Sequence, residues 1–487
     1  MASQLHQLHF VLIPFMASGH LIPMTDMARL LAQHGQNVTI ISTPVNATRI
    51  RPAIDRAISS GLHIRLVQLP PLPVHEFSLP DGCESMEAVP FRNLFRNFFA
   101  LLRKLQPPVE QLLQELKPSP SCIIADKHLA WTAEISRKLQ IPRVSFDGTS
   151  CFSLLCTHII RRSKVHDHVV LESEPFVVPD LPDHIEFRLD QLPGDLHPAS
   201  KDVKDIHKEV TEAEEGAIGV VVNSFEELES KYVEGFKRVK GGKVWCIGPV
   251  SLTNKTELDK AQRGKNMAAI DKKKCMTWLD SWPKNSAVYA CLGSLCRFSS
   301  PQLIELGLAL EASNRPFIWV VRGNKIEEVE KWIVESGFEE RTKGKGLLIH
   351  GWAPQVLILS HPSIGGFLTH CGWNSTLEGV CAGRPMITWP MFADQFYNEK
   401  MVVQVLRIGE SVGAKFAIPL GNEEKFGVVV KRREVKEAID KVMDEGKEGE
   451  ERRERAKKFA DMANKAIEEG GSSYINVKLL IEEIRQI

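Results

Sequence analysis

His20 stands in SGHLIP, directly after the apolar run HFVLIPF, and Asp126 ends the run CIIAD more than a hundred positions later. An imidazole with an ordinary pKa of about 6.5 can take up a proton at neutral pH. A carboxylate on its other ring nitrogen would fix the tautomer and stabilise the imidazolium that forms. If both runs are parallel strands of one sheet, both residues emerge at the same edge and could together deprotonate a hydroxyl, with no covalent nucleophile on the protein. On its own, a histidine at a helix start fits a capping or packing role equally well. His128, two positions past Asp126, is a weaker candidate for the same role and reads first as structural.

A second group lies at 370–376, HCGWNST, between the apolar run SIGGFLT and a helical pattern. A strand ending at His370, a glycine at 372 that admits a ligand to the backbone, and Asn374 or Ser375 opening a helix would make an anion site from N–H groups and helix dipole, large enough for two phosphates. An ordinary capped helix after a strand fits the same residues. Glu378 lies one turn beyond Asn374, on the same face, where it could accept paired ribose hydroxyls. Trp352 follows the strand GLLIHG and could stack on a base, an interaction worth about 1–3 kcal/mol. Asp394 and Gln395 follow PMITWPM and bring a carboxylate and an amide to the same edge.

The elements that must position these groups are short β-branched runs alternating with longer helical patterns, which predict parallel strands joined by helical crossovers. The alternation occurs twice. Residues 1–250 are expected to form one doubly wound α/β domain and 276–470 a second, with a polar surface linker at 251–275 and a last helix at 471–487 expected to pack back on the first domain. Gly470 is placed to stop the preceding helix, with Ser472 or Ser473 as the next cap. Polar insertions at about 163–200 and 323–345 have no evident role.

The chain has 487 residues and 61 residues of each charge sign, so it carries no bulk electrostatic footprint for nucleic acid. The first βα turn, MASGHLIPM, lacks the three glycines of a dinucleotide fingerprint, and no P-loop, GxSxG, HExxH or D-x-D sequence occurs. Metal-free chemistry without a resident cofactor is the expectation. Ten cysteines without a CxxC pair read as reduced thiols of a cytoplasmic protein. FVLIPFMA reads as a first strand, not a signal peptide, and no apolar run is long enough for a membrane span. The sequons at Asn37, Asn46, Asn254 and Asn374 would matter only in a secreted chain.

The 44 residues from Trp352 to Gln395, WAPQVLILSHPSIGGFLTHCGWNSTLEGVCAGRPMITWPMFADQ, resemble the signature of plant family 1 UDP-glycosyltransferases acting on small molecules. The similarity covers essentially the whole chain and includes SFEELE at 224–229, VWCIGPV at 244–250 and CLGSL at 291–295. The resemblance implies an α/β fold of GT-B type, two facing Rossmann-like doubly wound parallel-sheet domains. It puts Trp352 and the backbone of Ala353 on uracil, Gln355 and Glu378 on ribose, and Ser294, His370, Asn374 and Ser375 near the diphosphate. Trp373, Asp394 and Gln395 would meet the sugar, and glutamine at 395 implies UDP-glucose as donor co-substrate where histidine would imply UDP-galactose. His20 and Asp126 match the family's catalytic pair, so inverting transfer to a β-O-glucoside is expected. The acceptor would be a lipophilic triterpenoid, steroid or flavonoid, held by Phe15, Met16, Gly19, Phe91, Thr149 and Ser150 of a monomeric enzyme. Phe91, Phe95, Phe98 and Phe99 fall at helical intervals and read equally as a core stripe. Two departures stand out: DGTS, with Asp147 where close relatives carry HGTS, and Arg384 in AGRP, where many relatives have a small or apolar residue.

Overall fold

The computed structural model describes residues 7–194, 196–197, 204–264, 270–322 and 326–487. Its strands are β1 (His9–Ile13), β2 (Asn37–Ser42), β3 (Ile64–Gln68), β4 (Cys122–Asp126), β5 (Arg143–Asp147), β6 (Pro175–Val177), β7 (Glu186–Arg188), β8 (Val220–Val222) and β9 (Val244–Cys246), followed by β10 (Ala287–Cys291), β11 (Phe317–Val321), β12 (Gly346–His350), β13 (Ile364–Thr369), β14 (Met386–Thr388) and β15 (Gly409–Ser411). The first sheet runs β3-β2-β1-β4-β5-β8-β9 and the second β12-β11-β10-β13-β14-β15, with every pairing parallel. β6 and β7 make a separate antiparallel hairpin. All five residues of β1, β4, β5, β10 and β11 are buried, and all but β5 are largely apolar, as strands covered on both faces must be; β5 instead buries Arg143, Ser145 and Asp147.

Strand order reverses between β1 and β4 in one sheet and between β10 and β13 in the other. Doubly wound sheets bind ligands beyond the carboxyl ends of strands at such switch points, because the crossover helices diverge there and leave a crevice. His20 follows β1 and Asp126 ends β4, while Ser294 follows β10 and His370 follows β13. The two crevices face one another across a single cavity of about 1080 Å³ lined from both domains.

The final helix, Ser472–Gln486, packs Val477, Leu480, Ile481 and Ile484 into the core of the first domain beside Trp245 and Ile247. Its N-cap is Gly471, not a serine; the Ser473 hydroxyl donates to the Gly248 carbonyl instead.

The reading of 251–275 as a surface linker needs correction. The segment carries a turn at Val250–Thr253 and helices at Glu257–Gln262 and Lys272–Asp280, with 265–269 outside the described residues. Asn254 and Asp259 are buried, because Arg29 donates to both, at 2.6 and 3.0 Å, and Arg56 reaches Asp259 at 2.9 Å. Charges that look solvated in sequence here neutralise charges on the first two helices. All ten cysteines are free. Among the described residues, no helix is long and apolar enough to cross a membrane. Asn46 and Asn254 are buried, so those sequons serve packing.

Candidate active site

The helix Ser18–Gln33 starts at the mouth of the cavity with His20 in its first turn. Ala17 offers no side-chain cap, and the Ser18 amide donates to Glu87 Oε1 at 2.5 Å from a neighbouring turn. Pro23 lies inside this helix and has no N–H to give the carbonyl four residues back, that of Gly19. That carbonyl accepts from Asn374 Nδ2 of the other domain at 2.6 Å. A proline placed one turn after the histidine thus opens an acceptor at the domain interface.

His20 Nδ1 lies 2.7 Å from Asp126 Oδ2, and Asp126 is fully buried. An anionic acceptor on Nδ1 requires the proton there, leaving the Nε2 lone pair as the basic atom. Burial works against the imidazolium, but the charge and hydrogen bond of Asp126 outweigh it, so the pKa of His20 is raised above 6.5. Asp126 is itself buried, yet His20 and His128 hold its pKa well below the usual carboxylate range. His128 holds the same carboxylate: its amide and Nδ1 both reach Asp126 Oδ1, at 3.0 and 2.9 Å, and its ring meets that of His20 edge-on at 5.2 Å. His20, Asp126 and His128 form the one set among the described residues close enough to hold a cation, but both Nδ1 atoms are spent on the carboxylate.

Beside this chain, Lys127 Nζ donates to Asp147 Oδ2 at 2.7 Å, and Asp147 Oδ1 accepts the Thr149 amide and hydroxyl. The departure at Asp147 therefore has a partner: the register pairs Asp126 with Phe146, so Lys127 and Asp147 leave adjacent strand ends together. The helix that follows, Cys151–Ser163, receives the Glu229 carboxylate of SFEELE on the amides of Cys151 and Phe152, at 3.1 and 2.7 Å. Burial pushes the Glu229 carboxyl up to about 7.

On the facing side, β13 ends at Thr369 and the helix Trp373–Cys381 begins after Gly372. Asn374 and Ser375 are helical residues, not its cap, and no side chain bonds the first-turn amides. An uncapped N-terminus facing a cavity suits an anion. The His370 ring is wedged between two glycines: a Cβ at Gly293 or Gly372 would come within 2.4 Å of it. Its Nδ1 is buried without a partner, which favours the lone pair there and the proton on Nε2. Burial without a counter-charge lowers the pKa of His370 to about 4, so it is a neutral donor.

Gln355 Nε2 reaches both Ser375 Oγ and Glu378 Oε2, at 3.0 and 2.8 Å. Gln395 Oε1 accepts the amides of Met391 and Phe392, at 2.8 and 3.2 Å, and its NH₂ donates to the buried Cys296 Sγ at 3.5 Å. Asp394 is bonded by Asn398 at 2.9 Å, and burial raises its pKa. Trp373 lines the cavity, but its indole N–H donates to the Asn223 carbonyl at 2.8 Å, tying the domains together. Arg384 stands away from the site, its guanidinium holding the carbonyls of Leu359, His361 and Ile364.

Ser294, Trp352, Ala353, Gln355, His370, Asn374, Ser375, Glu378, Asp394 and Gln395 all line the same cavity as His20, together with Phe15, Gly19 and Thr149. Three expected acceptor residues do not. Met16 is fully buried; Ser150 caps the helix Cys151–Ser163 through its hydroxyl; and Phe91, 55% exposed, packs against Gly421 of the second domain. The apolar wall is made instead by Phe15, Met86, Phe95 and Phe99, while Phe98 belongs to the core. His128 lines the cavity too, as do Lys127 and Arg263, which the sequence did not mark as site residues.

Residues 6–252 match the family model described as glycosyltransferase, N-terminal domain, and residues 266–416 match UDP-glucoronosyl and UDP-glucosyl transferase. UDP-glycosyltransferase 73C6 of Arabidopsis thaliana is 50% identical over 483 residues, covering 99% of this chain and 97% of that protein. UDP-glycosyltransferase 73E1 of Stevia rebaudiana is 52% identical over 482 residues, covering 98% and 97%. The crystal structure of Glycyrrhiza uralensis UGT73P12, complexed with glycyrrhetinic acid 3-O-monoglucuronide, superposes with a TM-score of 0.91 at 38% identity, over 99% of this chain and 96% of that one. Both halves of the site, the two sheets and these likenesses agree: the chain belongs to the plant family 1 UDP-glycosyltransferases, GT-B enzymes that transfer sugar from a UDP-sugar to small molecules.

Proposed function

We propose that this enzyme transfers glucose from UDP-glucose to a hydroxyl of a lipophilic plant metabolite, with inversion at the anomeric carbon. The observation that carries this reading is the His20–Asp126 pair, bonded at 2.7 Å and facing the uncapped N-terminus of helix Trp373–Cys381 across one cavity. His20 Nε2 accepts the proton of the acceptor hydroxyl as its oxygen attacks the anomeric carbon from the side opposite UDP. The bond from that carbon to the β-phosphate oxygen breaks, UDP leaves with the electron pair, and the α-linked donor becomes a β-glucoside. Asp126 stabilises the imidazolium until the proton passes to solvent.

On the donor side, Trp352 and the Ala353 backbone take uracil, Gln355 and Glu378 the ribose, and Ser294, His370, Asn374 and Ser375 the diphosphate. With charge on the leaving group met by amides and a neutral imidazole, the transfer proceeds without a metal or a resident cofactor. Gln395 and the Asp394 carboxylate, neighbours in the cavity wall, are assigned to a sugar with adjacent hydroxyls. The aromatic wall of Phe15, Phe95 and Phe99 supports a triterpenoid, steroid or flavonoid acceptor, free or already glycosylated. The glycyrrhetinic acid 3-O-monoglucuronide complex of UGT73P12 and the quercetin complex of Arabidopsis thaliana UGT89C1 support both classes.

Purified enzyme incubated with UDP-glucose and a panel of such acceptors in EDTA is expected to give a hexose adduct by mass spectrometry, with the large anomeric proton coupling of a β-glucoside. An α-glucoside, or activity only after adding manganese, would refute the reading.

A further inference from the structure

Glu378 is not free to turn toward a ligand as it pleases. Its Oε1 is bonded by Arg263 Nη1 and its Oε2 by Gln355 Nε2 at 2.8 Å. Arg263 belongs to neither sheet: it follows the helix Glu257–Gln262, which is pinned to the first domain. Arg56 bonds Asp259 at 2.9 Å and Gln262 at 2.7 Å, and Arg29 bonds Asp259 at 3.0 Å. The guanidinium spans the domains, with Nε on Asp26 Oδ2 at 2.7 Å, and it is as buried as its partners: 9% exposed against 4% for Asp26 and 6% for Glu378. The next residue is fitted just as closely. Gly264 has φ +83°, and a Cβ there would lie 2.3 Å from Ile22 Cδ1 and 2.8 Å from the Trp352 ring.

We propose that Arg263 is a positioning residue of the donor site, which holds the Glu378 carboxylate in the orientation that receives the ribose hydroxyls; this rests on the reading of Glu378 as the ribose acceptor. A carboxylate offers about four lone-pair sites. Arg263 and Gln355 occupy one on each oxygen, which fixes the plane of the group and leaves one on each for a vicinal diol. A planar fork bonded through Nε on one side and Nη1 on the other sets that geometry as an ammonium would not. Because its Nε is held by Asp26 and the helix that precedes it by Arg56 and Arg29, the ribose reader of the second domain takes its position from the first domain. Without Arg263, Asp26 and Glu378 become two buried carboxylates with no cation between them, and Glu378 turns away. The loss should fall on ribose recognition and leave the diphosphate site, built from amides and His370, as it was.

Calorimetric titration with UDP and with 2′-deoxy-UDP separates this role from a merely structural one. The wild type is expected to prefer UDP by about tenfold or more, the worth of a hydrogen bond to a charged group. In Arg263→Ala that preference falls to about twofold or less, while affinity for 2′-deoxy-UDP changes little, and the donor KM rises with kcat nearly unchanged. Arg263→Lys keeps a cation between the carboxylates and so guards against misfolding; the preference is expected to drop several-fold, with the melting temperature close to wild type. A full preference for UDP in both Arg263 variants overturns the proposal. If the wild type and Glu378→Ala both fail to distinguish the nucleotides, the ribose reading of Glu378 falls, and the proposal with it.

Discussion

His20 follows β1 and His370 follows β13, so each domain presents one imidazole to the cleft from its switch point. The His20 side chain is 25% exposed and His370 is buried, and their proton affinities move in opposite directions. His20 has Asp126 at 2.7 Å and is raised above 6.5; His370 has two glycines against its ring and no charge, and falls to about 4. One imidazole is built to change protonation state during a reaction and the other to keep one. The rest of each site follows the same division. The first domain carries paired charges, His20–Asp126–His128 and Lys127–Asp147, whereas the second offers amides, amide side chains and a neutral ring around the expected diphosphate. Proton transfer needs a poised charge, while a leaving group that departs with two negative charges needs donors that do not respond.

The largest test of this division is removal of its active member. His20→Ala is expected to lower kcat by about 10²–10⁴-fold, with the Kd for UDP by calorimetry unchanged within about twofold. Asp126→Asn should reduce kcat by up to about 10⁴-fold by releasing the tautomer, and it adds a sign. The base must be neutral to act, so kcat/KM rises with pH and levels off above the raised pKa of His20. Without the carboxylate charge, burial acts alone and lowers that pKa, so the acid limb of the profile moves to lower pH.

Lys127→Met leaves Asp147 buried beside His20 without its cation. A loss of about 2–3 kcal/mol in urea-measured stability is expected, largely restored by adding Asp147→Asn. His370→Gln keeps a neutral donor of different reach: the donor KM should rise by about tenfold or less, and the acid limb should stay where it is. A shifted limb would mean that His370 titrates in the working range. The smallest effect is expected for Gln395→His, a several-fold fall in the use of UDP-glucose relative to UDP-galactose in side-by-side kinetics.

The two halves also differed in how plainly they could be read. Trp352 to Gln395 is contiguous, and each side chain with chemistry stands just past a strand or in the next helical turn, so β12, β13 and β14 place them at one edge by parallel topology alone. The acceptor wall is scattered, and the aromatic stripe misled at Phe91, which precedes the helix Phe95–Arg103 and packs across the domain boundary. The Lys127–Asp147 pair had a usable signal: opposite charges at the ends of neighbouring strands, Lys127 just past β4 and Asp147 the last residue of β5, as the β4–β5 register requires. Arg263 had none. Within a run rich in Lys, Asp and Glu, a solvated face is the natural reading, and only the fold brings it to two buried carboxylates more than a hundred positions distant on one side and over two hundred on the other.

The opposed titrations can be measured directly. In protein labelled with ¹³C at histidine Cε1, with the two resonances assigned from His20→Ala and His370→Gln, a pH titration by NMR should show His20 with its midpoint above 6.5 and His370 without a shift change down to about pH 5. A midpoint for His20 below 6.5, or a His370 that takes up its proton near neutrality, would contradict the account.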